Sequence, residues 1–138
     1  MMKQVDFEAF LMGLPNVQRE ENFGYSLFFV GDDRSLPFTT IIDSDNDYDN
    51  VSNLNRKDVF RLNIGVSKET FNKLITGPLD GDIDYSVLNV FLPHPHYSRQ
   101  HFVCILNPDG ENVEKTKQLI AEAHLIAEER LRRKMESI

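Results

Sequence analysis

Between Phe60 and Val66 the chain alternates without a break: Phe60, Leu62, Ile64 and Val66 are apolar, and Arg61, Asn63 and Gly65 stand between them. A period of two is the pattern of a strand with one buried side, because successive side chains of a strand point to opposite faces. The segment therefore predicts a sheet whose apolar row fills the interior, with Arg61 and Asn63 together on the other face.

The flanking sequence supplies the rest of an α+β layout. Phe7, Phe10, Leu11 and Leu14 fall on one helical face and Pro15 ends the pattern. Tyr25 to Val30 and Phe38 to Ile42 are aromatic and branched, and Gly31-Asp32-Asp33-Arg34-Ser35 between them reads as the turn of a hairpin. Asp43 to Asn55 is rich in Asn and Asp, which favour turns, and is expected to be an exposed loop. Ser67 is placed to cap a short helix with Phe71, Leu74 and Ile75 inward, stopped by Gly77-Pro78. Leu79 to Tyr85, with its three aspartates, reads as a polar connection; Val87 to Leu92 is apolar and Pro93-His94-Pro95 is stiff. A last strand over His101 to Leu106 turns through Asn107-Pro108-Asp109-Gly110 into a long helix from near Glu111. Val113, Thr116, Ile120, Ala123, Ala127 and Leu131 form the buried stripe of that helix. The expected order is α, three β, α, one or two β, α, in one domain over residues 1–138 with an antiparallel sheet.

Length and composition suit this reading. A chain of 138 residues with 41% hydrophobic residues and ten phenylalanines can fill one core. A net charge of −7 supplies no excess of cations to neutralise phosphates, which disfavours nucleic acid as a partner. One cysteine, Cys104, cannot form an internal disulfide and lies in an apolar run, as expected in a reducing, cytoplasmic setting. No apolar run reaches the roughly twenty residues that cross a bilayer, and the N-terminal residues have no signal-peptide pattern.

Five motifs, Phe38-Thr39-Thr40-Ile41, Ser52-Asn53-Leu54-Asn55-Arg56, Phe60 to Val66, Pro93-His94-Pro95 with Tyr97, and Val103-Cys104-Ile105-Leu106-Asn107-Pro108, together resemble an uncharacterised bacterial family, domain of unknown function 6194. The resemblance spans almost the whole chain and extends to Ala121-Glu122-Ala123 in the final helix; Phe102 stands where that pattern leads one to expect tryptophan. More distantly, the element order is similar to YjbR-like proteins, whose fold resembles secretion-chaperone and frataxin-like α+β sheets. DNA binding, often attached to YjbR-like proteins, would come only by fold analogy, and the acidic balance opposes it. The nearer family implies no activity.

Two sets of residues carry possible chemistry. His94, His96, Tyr97, Arg99, Gln100 and His101 cluster in sequence, and histidine can act as base, metal ligand or pH sensor. The prolines beside His94 and His96 splay them, so exposed turn histidines are preferred to a metal site. The run Asp43, Asp45, Asp47, Asp49 resembles a calcium loop, but Tyr48 and Leu54 stand where an EF-hand needs glycine and glutamate. No metal or cofactor is expected. No nucleophile elbow, phosphate loop or dinucleotide fingerprint occurs. Two functions follow: a non-catalytic binding module whose open sheet face engages a protein partner or a second copy, or a binder or enzyme for a small anionic metabolite. The second would use Arg61 and Asn63 to orient the ligand, Tyr97 beside them, and His94 or His101 to handle a proton.

Overall fold

The computed structural model describes residues 2–77, 79 and 81–137. The elements are α1 (Gln4–Met12), β1 (Val17–Asn22), β2 (Tyr25–Val30), β3 (Thr39–Ile42), β4 (Arg61–Gly65), α2 (Lys68–Leu74), β5 (Leu92–Pro93), a short 3-10 turn (Ser98–Gln100), β6 (Phe102–Leu106) and α3 (Glu111–Glu136). The six strands form one antiparallel open sheet in the order β1-β2-β3-β4-β6-β5. This is the expected α+β class.

One strand was not anticipated. β1 (VQREEN) buries only Val17 and has no apolar alternation, so its sequence carries no strand period. It is held by its ladder to β2 and by the two-residue turn Phe23-Gly24, whose φ angles of 51° and 82° match the primed turns that join twisted strands. As an edge strand it presents charged side chains, which discourages further strand addition.

Directly paired residues share a face, so the register separates the two sides of the sheet. On the first side Phe28, Val30, Ile41, Leu62, Ile64, Val103 and Ile105 meet the helices and form the main core with Phe7, Leu11, Phe71 and the α3 residues Leu119, Ile120, Ala123 and Ala127. The long helix has the expected extent, though Leu119 and His124 join its buried stripe while Val113 and Leu131 are only half-buried. Ser67 caps α2 as expected, its Oγ accepting from the Thr70 backbone N–H at 3.1 Å. Of the proposed stop Gly77-Pro78 and the polar connection after it, Pro78 and Asp80 lie outside the described residues. Of the apolar stretch Val87 to Leu92 only Leu92 enters a strand, which it forms with Pro93.

The second side carries Tyr25, Leu27 and Phe29, then Thr40 and Ile42, Arg61 and Asn63, and Phe102, Cys104 and Leu106. The acidic segment, expected to be exposed throughout, instead folds over one end of this side. Asp49, Ser52 and Leu54 are buried, and Leu54 packs with Ile42 and Leu106 in a second small core beside Tyr25 and Val59. The loop supplies its own scaffolding: Asp45 Oδ1 accepts from the Leu54 N–H and Asn46 Oδ1 from the N–H groups of Tyr48 and Asp49. Arg56 ties it to the later loop by donating to the carbonyls of Ser52 and Ser86.

If this small core holds the loop down, Leu54→Ala should destabilise the protein by about 2–4 kcal/mol in urea unfolding, whereas a solvated loop would leave the midpoint unchanged.

Candidate functional site

Arg61 enters the second face from β4 with its Cα opposite Ile42 and Leu106, and the loop residues close over it until none of its surface is exposed. Each nitrogen of its guanidinium is engaged: Nη2 donates to Asp49 Oδ2 at 2.5 Å, Nη1 to Asp49 Oδ1 at 3.1 Å and to Ser52 Oγ at 2.9 Å, and Nε to Asn63 Oδ1 at 2.9 Å. Asn63 passes the network on, its Nδ2 donating to Thr40 Oγ1 at 2.9 Å. On the other side Tyr25 donates its hydroxyl to Asp49 Oδ2 at 2.6 Å. Burial pushes the Asp49 carboxyl up, but the Arg61 hydrogen bonds and charge, with the Tyr25 hydroxyl, outweigh it and hold the group below the usual carboxylate range. Burial and then Asp49 raise the Tyr25 phenol well above its ordinary value. The strand side chains thus point to the face the alternation predicts, but the expectation that Arg61 there confronts a ligand is corrected: a buried carboxylate from the loop takes its fork.

Beyond the loop the second face opens into a cavity of about 590 Å³. Leu27, Thr40, Asn63 and Phe102 form its floor, Tyr25, Asn46 and His94 its walls, and no charged side chain lines it among the described residues. Gly65, opposite Phe102 on the ladder, has no side chain, and the Phe102 ring occupies the space a Cβ would need. At the mouth stand Phe23 from the β1–β2 turn, Tyr48 from the acidic loop and Tyr97 from the β5–β6 connection, exposed by 79%, 87% and 55%. A larger concavity runs along the solvent side of α3 from Leu125 to Ser137, but no buried side chain lines it.

Of the residues singled out in the sequence, Asn63, His94 and Tyr97 meet at this cavity, and Arg61 lies behind its floor. His101 does not join them. It takes a left-handed conformation after the 3-10 turn and its ring packs edge-on against Phe71, 5.7 Å between centroids, toward the main core. Tyr25, Thr40, Asn46, Phe23 and Tyr48 were missed; of these Thr40 was accessible to reasoning, as the cross-strand neighbour of Asn63.

His94 is the most constrained group in the cavity. Stiffened by Pro93 and Pro95, the chain folds back so that its Nδ1 accepts from the backbone N–H groups of His96 and Tyr97, each at 3.0 Å. A nitrogen accepting two N–H bonds carries no proton, so the ring is the neutral tautomer with its hydrogen on Nε2. Burial, then the Arg61 charge, push its pKa down to about 3, against a smaller opposite pull from Asp49. No described residue accepts from Nε2. The sealed polar atoms without partners are Thr39 Oγ1, Asn46 Nδ2 and Thr116 Oγ1; His94 Nε2 is not one of them, and it faces the cavity its ring lines. Cys104, beside Asn63 on the ladder, is fully buried with its thiol raised by burial to about 12, which removes it as a nucleophile. Among the described residues no three His, Cys, Asp or Glu side chains gather for a metal ion, and no helix is long and apolar enough to cross a membrane.

Two measurements test this site. Arg61→Met strands the Asp49 carboxylate and should cost about 3–5 kcal/mol, while adding Asp49→Leu should recover most of the loss, since apolar replacement of a whole buried pair is tolerated better than removal of one partner. His94 has a folded pKa below its unfolded value, so the unfolded chain binds the extra proton: the stability His94 contributes is complete above the unfolded pKa near 6.5 and falls as pH drops toward about 3. Urea unfolding from pH 6.5 to 4.5 should show this as a slope of about 1.4 kcal/mol per pH unit, which His94→Asn, keeping an acceptor for the turn, should abolish; an unchanged slope would assign the acid sensitivity elsewhere.

The comparisons with known proteins agree on one point. No curated protein and no solved structure matches the chain. The family of unknown function DUF6194 matches residues 2–136. With a match over nearly its full length, the chain belongs to that family of unknown function.

Proposed function

We propose that the protein is a non-catalytic binding module whose second sheet face receives a small organic molecule in the cavity between the acidic loop and the β5–β6 connection. The observation that carries this reading is the His94 Nε2–H donor, for which no described residue supplies an acceptor, on a buried ring lining a mostly apolar recess. Preformed apolar pockets with a few directed polar groups are the usual form of small-molecule sites, and about 590 Å³ is within their range. Binding without catalysis is favoured because the ionisable groups near the floor are locked: His94 neutral, Tyr25 protonated, Cys104 protonated, Arg61 and Asp49 paired. An anionic metabolite loses the support it drew from Arg61. DNA gains none, because the cavity offers no cation to phosphate. A cytoplasmic setting, part of the same proposal, accords with the free buried Cys104.

The exposed Phe23, Tyr48 and Tyr97 favour a second reading, in which this rim docks a protein partner or a second copy of the chain. Thermal melts against a library of neutral aromatic compounds decide for or against the first. A ligand present at tenfold its Kd should add about 1.4 kcal/mol and raise Tm by roughly 4 °C, and Tyr48→Ala should reduce the shift without lowering the intrinsic Tm. Absence of any hit, together with concentration-dependent mass in sedimentation, would favour the second reading.

A further inference from the structure

The polar inventory of the cavity is lopsided. Asn63 Oδ1 already accepts from Arg61 and Thr40 Oγ1 from Asn63, whereas the Thr40 hydroxyl hydrogen and the second Asn63 amide hydrogen have no partner among the described residues. His94 adds Nε2–H, and because its Nδ1 is occupied by two backbone donors it cannot turn over to present an acceptor instead. The deep end of the site therefore offers neutral donors whose hydrogens lack a partner among the described residues. An occupant without acceptors would cover the imidazole N–H of the buried His94 and leave it unpaired, and such a group costs more to strand than a paired one contributes.

Charge narrows the class further. A cation would find no carboxylate among the residues that line the cavity. An anion would approach the Asp49 carboxylate, whose partner Arg61 has no exposed surface with which to turn toward it, in a chain of net charge −7. The mouth supplies shape: Phe23, Tyr48 and Tyr97 come from three different connections and leave aromatic surface uncovered around a recess floored by Leu27 and Phe102. Flat faces and edges of this kind favour a planar ring held by stacking and edge contacts.

Resting on the small-molecule reading above, we propose that the ligand class is an uncharged planar ring compound carrying a ring carbonyl or equivalent acceptor, which accepts from His94 Nε2–H while its faces lie among the aromatic side chains of the mouth. His94 is then the specificity-determining residue, and the Asp49–Arg61 pair acts behind it by fixing Asn63.

The test uses three bicyclic probes of similar size: quinolin-2-one, neutral with a ring carbonyl; naphthalene, with no acceptor; and quinoline-2-carboxylate, an anion. Binding to the full chain is followed by amide and histidine nitrogen NMR. Quinolin-2-one should bind at least about tenfold more tightly than either other probe and move the His94 Nε2–H resonance. His94→Asn preserves an acceptor for the His96 and Tyr97 N–H groups but deletes the cavity donor, and should lose that tenfold preference for quinolin-2-one over naphthalene. Should His94→Asn fold poorly, the wild-type Nε2–H resonance and the exposed-site variant Tyr48→Ala, expected to weaken all stacked probes together, carry the same decision. Equal binding of naphthalene, preference for the carboxylate, or an unmoved His94 resonance on binding overturns the ligand class and leaves the cavity as a binding site. If none of the three perturbs any residue of the cavity, the ligand class and the binding-module reading fall together.

Discussion

The second face of this sheet is organised by a buried ion pair. Placing a guanidinium on an interior strand requires a compensating charge and enough acceptors to satisfy its fixed fork of donors, because an isolated charge in the interior is far too costly to keep. Asp49 supplies the charge and, with Ser52 and Asn63, the acceptors. Since Asp49 stands on a connection of eighteen residues between β3 and β4, meeting this demand draws a whole polar segment down onto the sheet. The small core around Leu54, the position of Tyr25 and the wall of the cavity all depend on that one descent.

The fold was legible wherever the sequence repeats with the period of its element. The alternation from Phe60 to Val66, the stripe of α3 and the cap at Ser67 each state a local rule that the tertiary structure obeys. β1 was not legible, because five of its six residues are exposed and its place is fixed by a turn and by β2, neither of which leaves a pattern in VQREEN. The acidic loop misled for a related reason. Asn and Asp predict turns, and turns are what it makes, but whether a turn-rich segment lies on the surface depends on a partner twelve residues away along the chain, at Arg61.

The site was legible in residue type and partly in place. Asn63, His94 and Tyr97 do converge, because β4 and the proline-stiffened connection leading into β6 are neighbours in the sheet. His101 does not, since the left-handed turn that returns the chain to β6 rotates its ring to the opposite side. Arg61 was assigned to the correct face with the wrong neighbour. His94 departs from the exposed turn histidine expected there: it is buried, and two backbone amides on one ring nitrogen make it a fixed neutral donor.

Gly65 gives the cavity a size that is written in the backbone. With no side chain at this point of β4, the tip of the Phe102 ring reaches the strand, and an added Cβ would stand 2.8 Å from its Cζ. A larger residue here would have to displace that ring, which packs edge-on against His94 and Tyr97, 6.3 and 6.4 Å between centroids. The floor and the His94 donor thus share one aromatic contact, so a change of dimension at position 65 would be felt at the hydrogen-bonding group as well.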